Sequence, residues 1–183
     1  YPYAKFKSFE SQAMAEKAFN ESFEQYKGKK VASSPTLSPL ELERIGSPIL
    51  PSIAVDAACS GNPGIMEYRG VDTETQAEIF RIAPIKDGTN NIGEFLAIVH
   101  ALAFMKQRNL SLPVYSDSKI AVSWVRQKVC KTKVPRTSHN EKIFELIARA
   151  EQWLHNNTYP NPILKWETQA WGENPADFGR KDK

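Results

Sequence analysis

The sequence predicts an α/β chain with one mixed β-sheet flanked by helices, and three observations predict it. Residues 53–84 hold three strand-like segments joined by short turns, which favours antiparallel pairing. Residues 92–108 form a helix that is apolar nearly all round, so it belongs against a sheet rather than on a surface. Residues 112–128 and 163–167 then read as strand, helix and later strand, the pattern of a parallel crossover. The order is three strands, helix, strand, helices, strand, helix, which gives a five-stranded sheet of mixed pairing.

Residues 1–27 come first. Tyr3 to Phe9 alternates apolar and polar as a short strand does, and Ser8 or Ser11 can cap a helix from about Gln12 to Tyr26. One strand and one helix cannot bury enough surface to stand alone, so this piece needs something to dock on. The first residue is Tyr1 rather than Met, which reads as a processed or trimmed chain. Residues 28–52 are rich in Pro, Gly and Ser and read as a linker with one helical turn near Glu41–Arg44, or as an ordered arm across the surface. The main domain spans 53–183.

Within it, Ile53–Cys59 is the first strand, partly β-branched, and it stops at the dense turn Gly61-Asn62-Pro63-Gly64. Met66–Thr75 and Glu78–Pro84 follow as strands, and residues 86–91 form a turn that caps the next helix. The helix Ile92–Arg108 carries Glu94 in its first turn, where a carboxylate suits the helix dipole. Leu112–Tyr115 is a short strand, with a helix from Lys119 to Lys128 after it. Ser138 to Glu141 reads as a capping box opening a helix to about His155. Ile163–Glu167 is the last strand, Thr168–Glu173 a loop, and Asn174 to Asp177 the start of a final short helix.

Composition narrows the function classes. A chain of 183 residues, 41% hydrophobic, can bury one ordinary core. Net charge is only +3, so any affinity for nucleic acid must come from local patches. No apolar run of about 18 residues exists, so no membrane span is expected, and no secretory leader is visible at the start. Two cysteines, Cys59 and Cys130, make no disulfide framework, which favours a reducing, cytoplasmic setting.

Chemistry concentrates in four acids at element boundaries: Asp56, Glu94, Asp117 and Asp177. Each alone has an ordinary explanation as a cap or a surface charge. If the strands ending at Asp56 and Asp117 are parallel neighbours, their carboxylates lie side by side and repel. Hard divalent cations resolve such a cluster, and all-oxygen ligation suits Mg²⁺ or Mn²⁺. No His/Cys spacing for zinc is present.

The segments Asp56–Gly64 (DAACSGNPG), Thr89–Glu94 (TNNIGE), Tyr115–Ser118 (YSDS) and Asn174–Asp177 (NPAD) resemble, in order and rough spacing, the four signature segments of type 1 ribonuclease H. The resemblance covers about residues 51–181. It implies the ribonuclease H-like fold and hydrolysis of the RNA strand of RNA–DNA hybrids by two Mg²⁺ ions, with Mn²⁺ able to substitute. The ligands it implies are Asp56, Glu94, Asp117 and Asp177, with Asp56 bridging. It also implies that Asn62, Asn90, Asn91 and the backbone around Cys59 and Gly61 read 2′-hydroxyls, and that Thr89 holds a DNA phosphate, unless Thr89 and Asn90 merely cap the helix. The basic run 126–136, with Lys128, Lys131 and Lys133, loosely resembles the family's DNA-gripping protrusion; its ordinary reading is a solvated loop. Trp124 faces either the hybrid or, by preference, the core.

Many relatives carry a His in the loop before the last acid. Here that loop has none, and Glu173 is the candidate substitute for proton shuttling. His100, His139 and His155 read as structural or exposed. Residues 1–27 resemble the closing strand and helix of a viroplasmin-like hybrid-binding domain, as a remnant not expected to bind hybrid alone. A monomer is expected, with an N-terminal arm free to make dimer contacts. Two competing readings are a non-catalytic nucleic-acid-binding module and a DNA nuclease of the same fold. Clustered negative charge argues against the first, and loops suited to 2′-hydroxyl readout argue against the second.

Overall fold

The computed structural model describes Glu16 and residues 37–179, so the expected strand and helix of residues 1–27 lie outside the described residues apart from Glu16. The chain divides into two compact units, Tyr1–Ser38 and Pro39–Lys183. The second carries α1 (Pro39–Ile45), β1 (Ile53–Cys59), β2 (Gly64–Asp72), β3 (Glu78–Gly88), α2 (Asn90–Gln107), β4 (Val114–Ser116), α3 (Lys119–Gln127), α4 (Glu141–Asn156), β5 (Ile163–Lys165) and α5 (Thr168–Trp171).

The five strands form one sheet in the order β3-β2-β1-β4-β5. β1, β2 and β3 pair antiparallel, and β4 joins β1 in parallel, as does β5 with β4. This is the mixed sheet that the segment order implied. β3 runs on through Pro84 to Gly88, where a turn was expected. An edge strand tolerates a proline because one row of its amides has no partner to lose, and the β2–β3 ladder absorbs the irregularity in register shifts.

α2 lies across one face of the sheet. Eleven of its residues are buried, among them Phe95, Ile98, Leu102 and Met105, so its apolar circumference is used on all sides. Its main partners are Val55, Ala57, Met66 and Tyr68 from the sheet, with Val125 of α3 and Ile143 and Leu154 of α4 closing the core. Gly93 lets α2 approach β1: a Cβ there would sit 2.7 Å from the Cβ of Ala57 and 3.1 Å from Cγ of Met66.

The opposite face is covered thinly. Ala54, Val71, Tyr115, Trp166 and Ala176 cluster there with Trp171, and the rings of Trp166 and Trp171 meet edge to face at 5.1 Å. Residues 46–52 form a strap beside this cluster. Trp171 Nε1 donates to the carbonyl of Gly46 at 2.7 Å, and the Ile49 amide donates to the Tyr115 hydroxyl at 2.9 Å.

Three local expectations are corrected. Ser138 does not cap α4. Asn140 precedes the helix, and its side chain accepts from the Thr137 amide and donates to Pro135 O, knitting the turn instead of the helix end. Residues 168–171 form the short helix α5, where a loop was expected. Asn174 to Asp177 forms a turn rather than a helix: the Asp177 amide closes it onto Asn174 O, and a side chain from β2 takes the Ala176 and Asp177 carbonyls.

Because Gly93 faces backbone-proximal atoms with no room to retreat, Gly93→Val is expected to cost about 1–3 kcal/mol, read as a lower urea midpoint at unchanged m-value.

Candidate active site

β1 and β4 run parallel, with Ala54 opposite Tyr115. Two residues further on, the strands deliver Asp56 and, just past the end of β4, Asp117 to the same end of the sheet. Glu94 projects from α2 toward them. One carboxylate oxygen from each of Asp56, Glu94 and Asp117 lies within 4.8 Å of the others. Asp177 and Phe178 line the same cleft, beside Cys59, Asn90 and Ser118. The structure thus gathers all four acids marked in the sequence.

Glu94 is not in the first turn of its helix, since α2 begins two residues earlier than expected, at Asn90. The dipole therefore does not account for it. Its side chain is 1% exposed, and that burial is costly for a charge without a partner. The Ser116 hydroxyl donates to its Oε2 at 3.3 Å, and Asn90 Nδ2 approaches Oε1 at 3.5 Å. Neither donor carries charge.

Burial is the main reason the Asp56 carboxyl is pushed up to about 6. A hydrogen bond with Glu94 works the other way, and the charges of Asp117 and Asp177 add to the rise. Glu94 is raised well above the usual range, first by burial and then by the neighbouring charge of Asp56. The two side chains share hydrogen bonding that needs a proton between them. The cluster as it stands is over-supplied with negative charge, and the donor set is oxygen only.

Asp177 reaches the cleft from a turn with two anchors. The buried Asn174 side chain donates to Val55 O on β1 at 3.0 Å and accepts from the Ala176 amide at 2.9 Å. Arg69 on β2 donates from Nε to Ala176 O at 2.8 Å and from Nη2 to Asp177 O at 2.6 Å. The sequence reading overlooked Arg69 and Ser116 and treated Asn174 only as part of a motif. The alternation of β2 put Arg69 on the same face as its cross-strand partner Asp56, which was the available signal.

The other marked residues fall into two groups. Asn62, Thr89, Asn91, Lys131 and Lys133 line a groove adjoining the cleft, together with Trp124. Thr89 is also the N-cap of α2, its hydroxyl accepting from the Ile92 amide at 3.4 Å. Trp124 is half-buried, its ring edge to face with Phe95 at 6.4 Å, so it serves core and groove together. Cys59 donates its thiol to Gly88 O at 3.4 Å. Gly61 is exposed within a turn so tight that a Cβ on Gly64 would meet the Gly61 nitrogen at 2.4 Å. Lys128 lines neither space and instead ends α3 in the left-handed conformation, φ 58°. Glu173 is exposed in the loop before Asn174 and is not among the residues lining the cleft. His100 is stacked on Phe80 at 4.0 Å, a structural position, and burial lowers its pKa.

Comparison with known proteins follows the same line. Ribonuclease H of Francisella philomiragia subsp. philomiragia is 34% identical over 84 residues, which are 43% of this chain and 51% of that protein. Ribonuclease H of Francisella tularensis subsp. novicida is 33% identical over 84 residues, with the same coverage. The chain thus spans about half the length of the curated relatives it matches. Among solved structures, LC11-RNase H1 isolated from compost aligns at 22% identity, covering 66% of this chain and 89% of that one, with a TM-score of 0.40. The same protein in complex with RNA/DNA hybrid aligns at 24% identity, covering 62% and 83%, with a TM-score of 0.39. The sequence model of RNase H matches residues 51–163, more than half of the chain and the span that carries β1 to β4 and three of the four acids, so the chain belongs to the RNase H family.

Proposed function

We propose that this chain is a metal-dependent endoribonuclease that hydrolyses the RNA strand of RNA–DNA hybrids. The observation that carries the reading is the convergence of Asp56, Glu94 and Asp117 within 4.8 Å, in a cleft that Asp177 also lines. The donor set fits two Mg²⁺ ions, with Mn²⁺ able to substitute. It offers only carboxylate oxygens, and its two innermost members have raised pKa values that a cation would relieve. Bound divalent ions would supply activation of the attacking water and stabilisation of the leaving 3′ oxygen.

The chain's own residues do the rest. Asp56 faces the other three acids and is the natural shared ligand. Glu94 is held by Ser116 and Asn90 from a rigid, buried helix, so its carboxylate stays in place when a substrate arrives. Asn90 and Cys59 line the cleft and, with the backbone near Gly61, are the candidate contacts to 2′-hydroxyls, since amides both donate and accept. Asn62, Thr89 and Asn91 stand beside Lys131 and Lys133 in the adjoining groove, a composition suited to the phosphates of the second strand. Glu173, in the loop before the fourth acid, is the candidate proton carrier on the solvent side.

The primary test is cleavage of matched RNA–DNA, DNA–DNA and RNA–RNA duplexes. Cutting of RNA in the hybrid alone, abolished by chelator and by Asp56→Asn, is the expected result. Binding without cleavage would point to a non-catalytic module, and cutting of DNA–DNA to a DNA nuclease. The paired change Lys131→Ala with Lys133→Ala is expected to weaken hybrid binding at low salt. It should flatten the salt dependence of log K by about 0.9 per lost phosphate contact, measured by fluorescence anisotropy.

A thermal experiment reads the carboxylates directly. Asp56 titrates higher folded than its unfolded value near 3.8, so the folded chain binds protons more tightly. That contribution is complete below about pH 4 and is lost as pH rises through about 6. In chelator, Tm is therefore expected to fall between pH 4 and 7, by an amount on the order of 2–3 kcal/mol in stability from Asp56. Mg²⁺ or Mn²⁺ should restore it at pH 8, where the cation replaces the missing protons.

A further inference from the structure

We propose that Arg69 is a positioning residue for the fourth carboxylate, Asp177, and through it sets the affinity of the site for divalent cations. The inference rests on the metal-dependent reading above.

Three of the four acids are fixed by regular structure or stand at its edge. Asp177 is not. It follows the turn Asn174–Ala176, outside any helix or strand, with Gly179 at φ 64° soon after. Its own amide donates to Asn174 O at 2.8 Å. A carboxylate on such a turn, facing three others, is pushed outward by their charge. Something must hold the turn against that push.

Arg69 supplies the hold. Its planar fork places Nε on Ala176 O and Nη2 on Asp177 O, two successive carbonyls. A lysine has one nitrogen on a flexible stem and cannot grip both in a fixed geometry. The guanidinium also packs at 4.9 Å from the ring of Phe178, and Arg81 sits 5.2 Å from the same ring. The residue after Asp177 is thereby flanked by two cations. The remaining contact of Arg69, to Glu78 at 3.4 Å, is solvent-exposed and adds little.

The placement in the sheet matters equally. Arg69 is the direct cross-strand partner of Asp56, so both side chains rise from one face of one β1–β2 pair. Asn174 meanwhile binds Val55, the residue before Asp56. The turn is therefore gripped from both strands at the row that carries the first acid. The spacing between the first and fourth carboxylates is set by that row and not by the long chain between them. Groups that orient ligands in this way commonly change metal affinity or activity by about 10- to 100-fold when removed.

The test uses the full chain with Arg69→Met, Arg69→Lys and Asp177→Asn. Mn²⁺ binding is followed by electron paramagnetic resonance of the free ion, and amide hydrogen exchange is measured in metal-free protein. Arg69→Met is expected to weaken Mn²⁺ binding by about 10- to 100-fold. The Ala176 and Asp177 amides should exchange at least about tenfold faster, while α2 amides keep their protection. In the cleavage assay kcat falls and half-saturation in metal rises, with KM for hybrid unchanged. Arg69→Lys, which keeps the charge and stem, falls between wild type and Arg69→Met and carries the test if the methionine variant does not fold.

Wild-type Mn²⁺ affinity and wild-type protection of residues 176–177 in Arg69→Met would overturn the proposal. So would a uniform loss of protection across the sheet in both variants, which would make Arg69 merely structural. Asp177→Asn separates the two levels. If it weakens Mn²⁺ binding while the Arg69 variants do not, the positioning role alone is wrong. If it binds Mn²⁺ as wild type does, Asp177 is no ligand and the proposal falls with that reading.

Discussion

The structure turns on the mutual repulsion of carboxylates that the chain brings together in one cleft. Asp56 and Glu94 are buried, and burial raises the appetite of both for a proton, with the charge of Asp56 raising that of Glu94 further. Nothing in folding alone favours that arrangement. It is tolerated because the surrounding elements leave the acids no alternative position: β1 and β4 share one register, and α2 is locked by its own burial. The same constraint explains why hydroxyl and amide donors, Ser116 and Asn90, stand beside Glu94. They orient the carboxylate without neutralising it, which leaves its charge for a cation.

Packing supports that geometry at close range. The helix bearing Glu94 touches the strand bearing Asp56 through Gly93 and Ala57, two residues with almost no side chain. Larger residues there would widen the gap between the two acids. On the other face, the described residues cover the sheet with aromatic rings, Trp171 of α5 among them, and with the strap of residues 46–52. That covering also holds α5 just before the loop that leads to Asp177.

Much of this was legible in the sequence, and the reasons differ by residue. Asp56 and Asp117 each follow an apolar β-type segment, while the parallel pairing that joins them was only a condition in the sequence and is supplied by the β1–β4 register. Glu94 was marked among the four acids, but its place in the helix was off, because the helix starts two residues earlier and leaves it beyond the first turn. The final helix was misread because Asn174-Pro175 resembles a helix start, while the groups that anchor the turn, the Val55 carbonyl of β1 and the Arg69 side chain of β2, are far away in sequence. Arg69 had only the alternation of its strand as a signal. A single arginine in a strand looks like a surface residue until the cross-strand partner is known. Ser138 had the spacing of a cap, but Asn140 won the position through bonds to the preceding turn. Among described residues no helix is long and apolar enough to cross a membrane.

The bond from Asn174 to Val55 joins positions 119 apart in the chain. During synthesis the first three acids leave the ribosome well before the fourth, and before the turn that carries it. A nascent chain that already has the sheet strands β1 to β4 therefore still lacks one wall of the cleft. Completion of the site is a vectorial event, timed by the arrival of the last anchored turn.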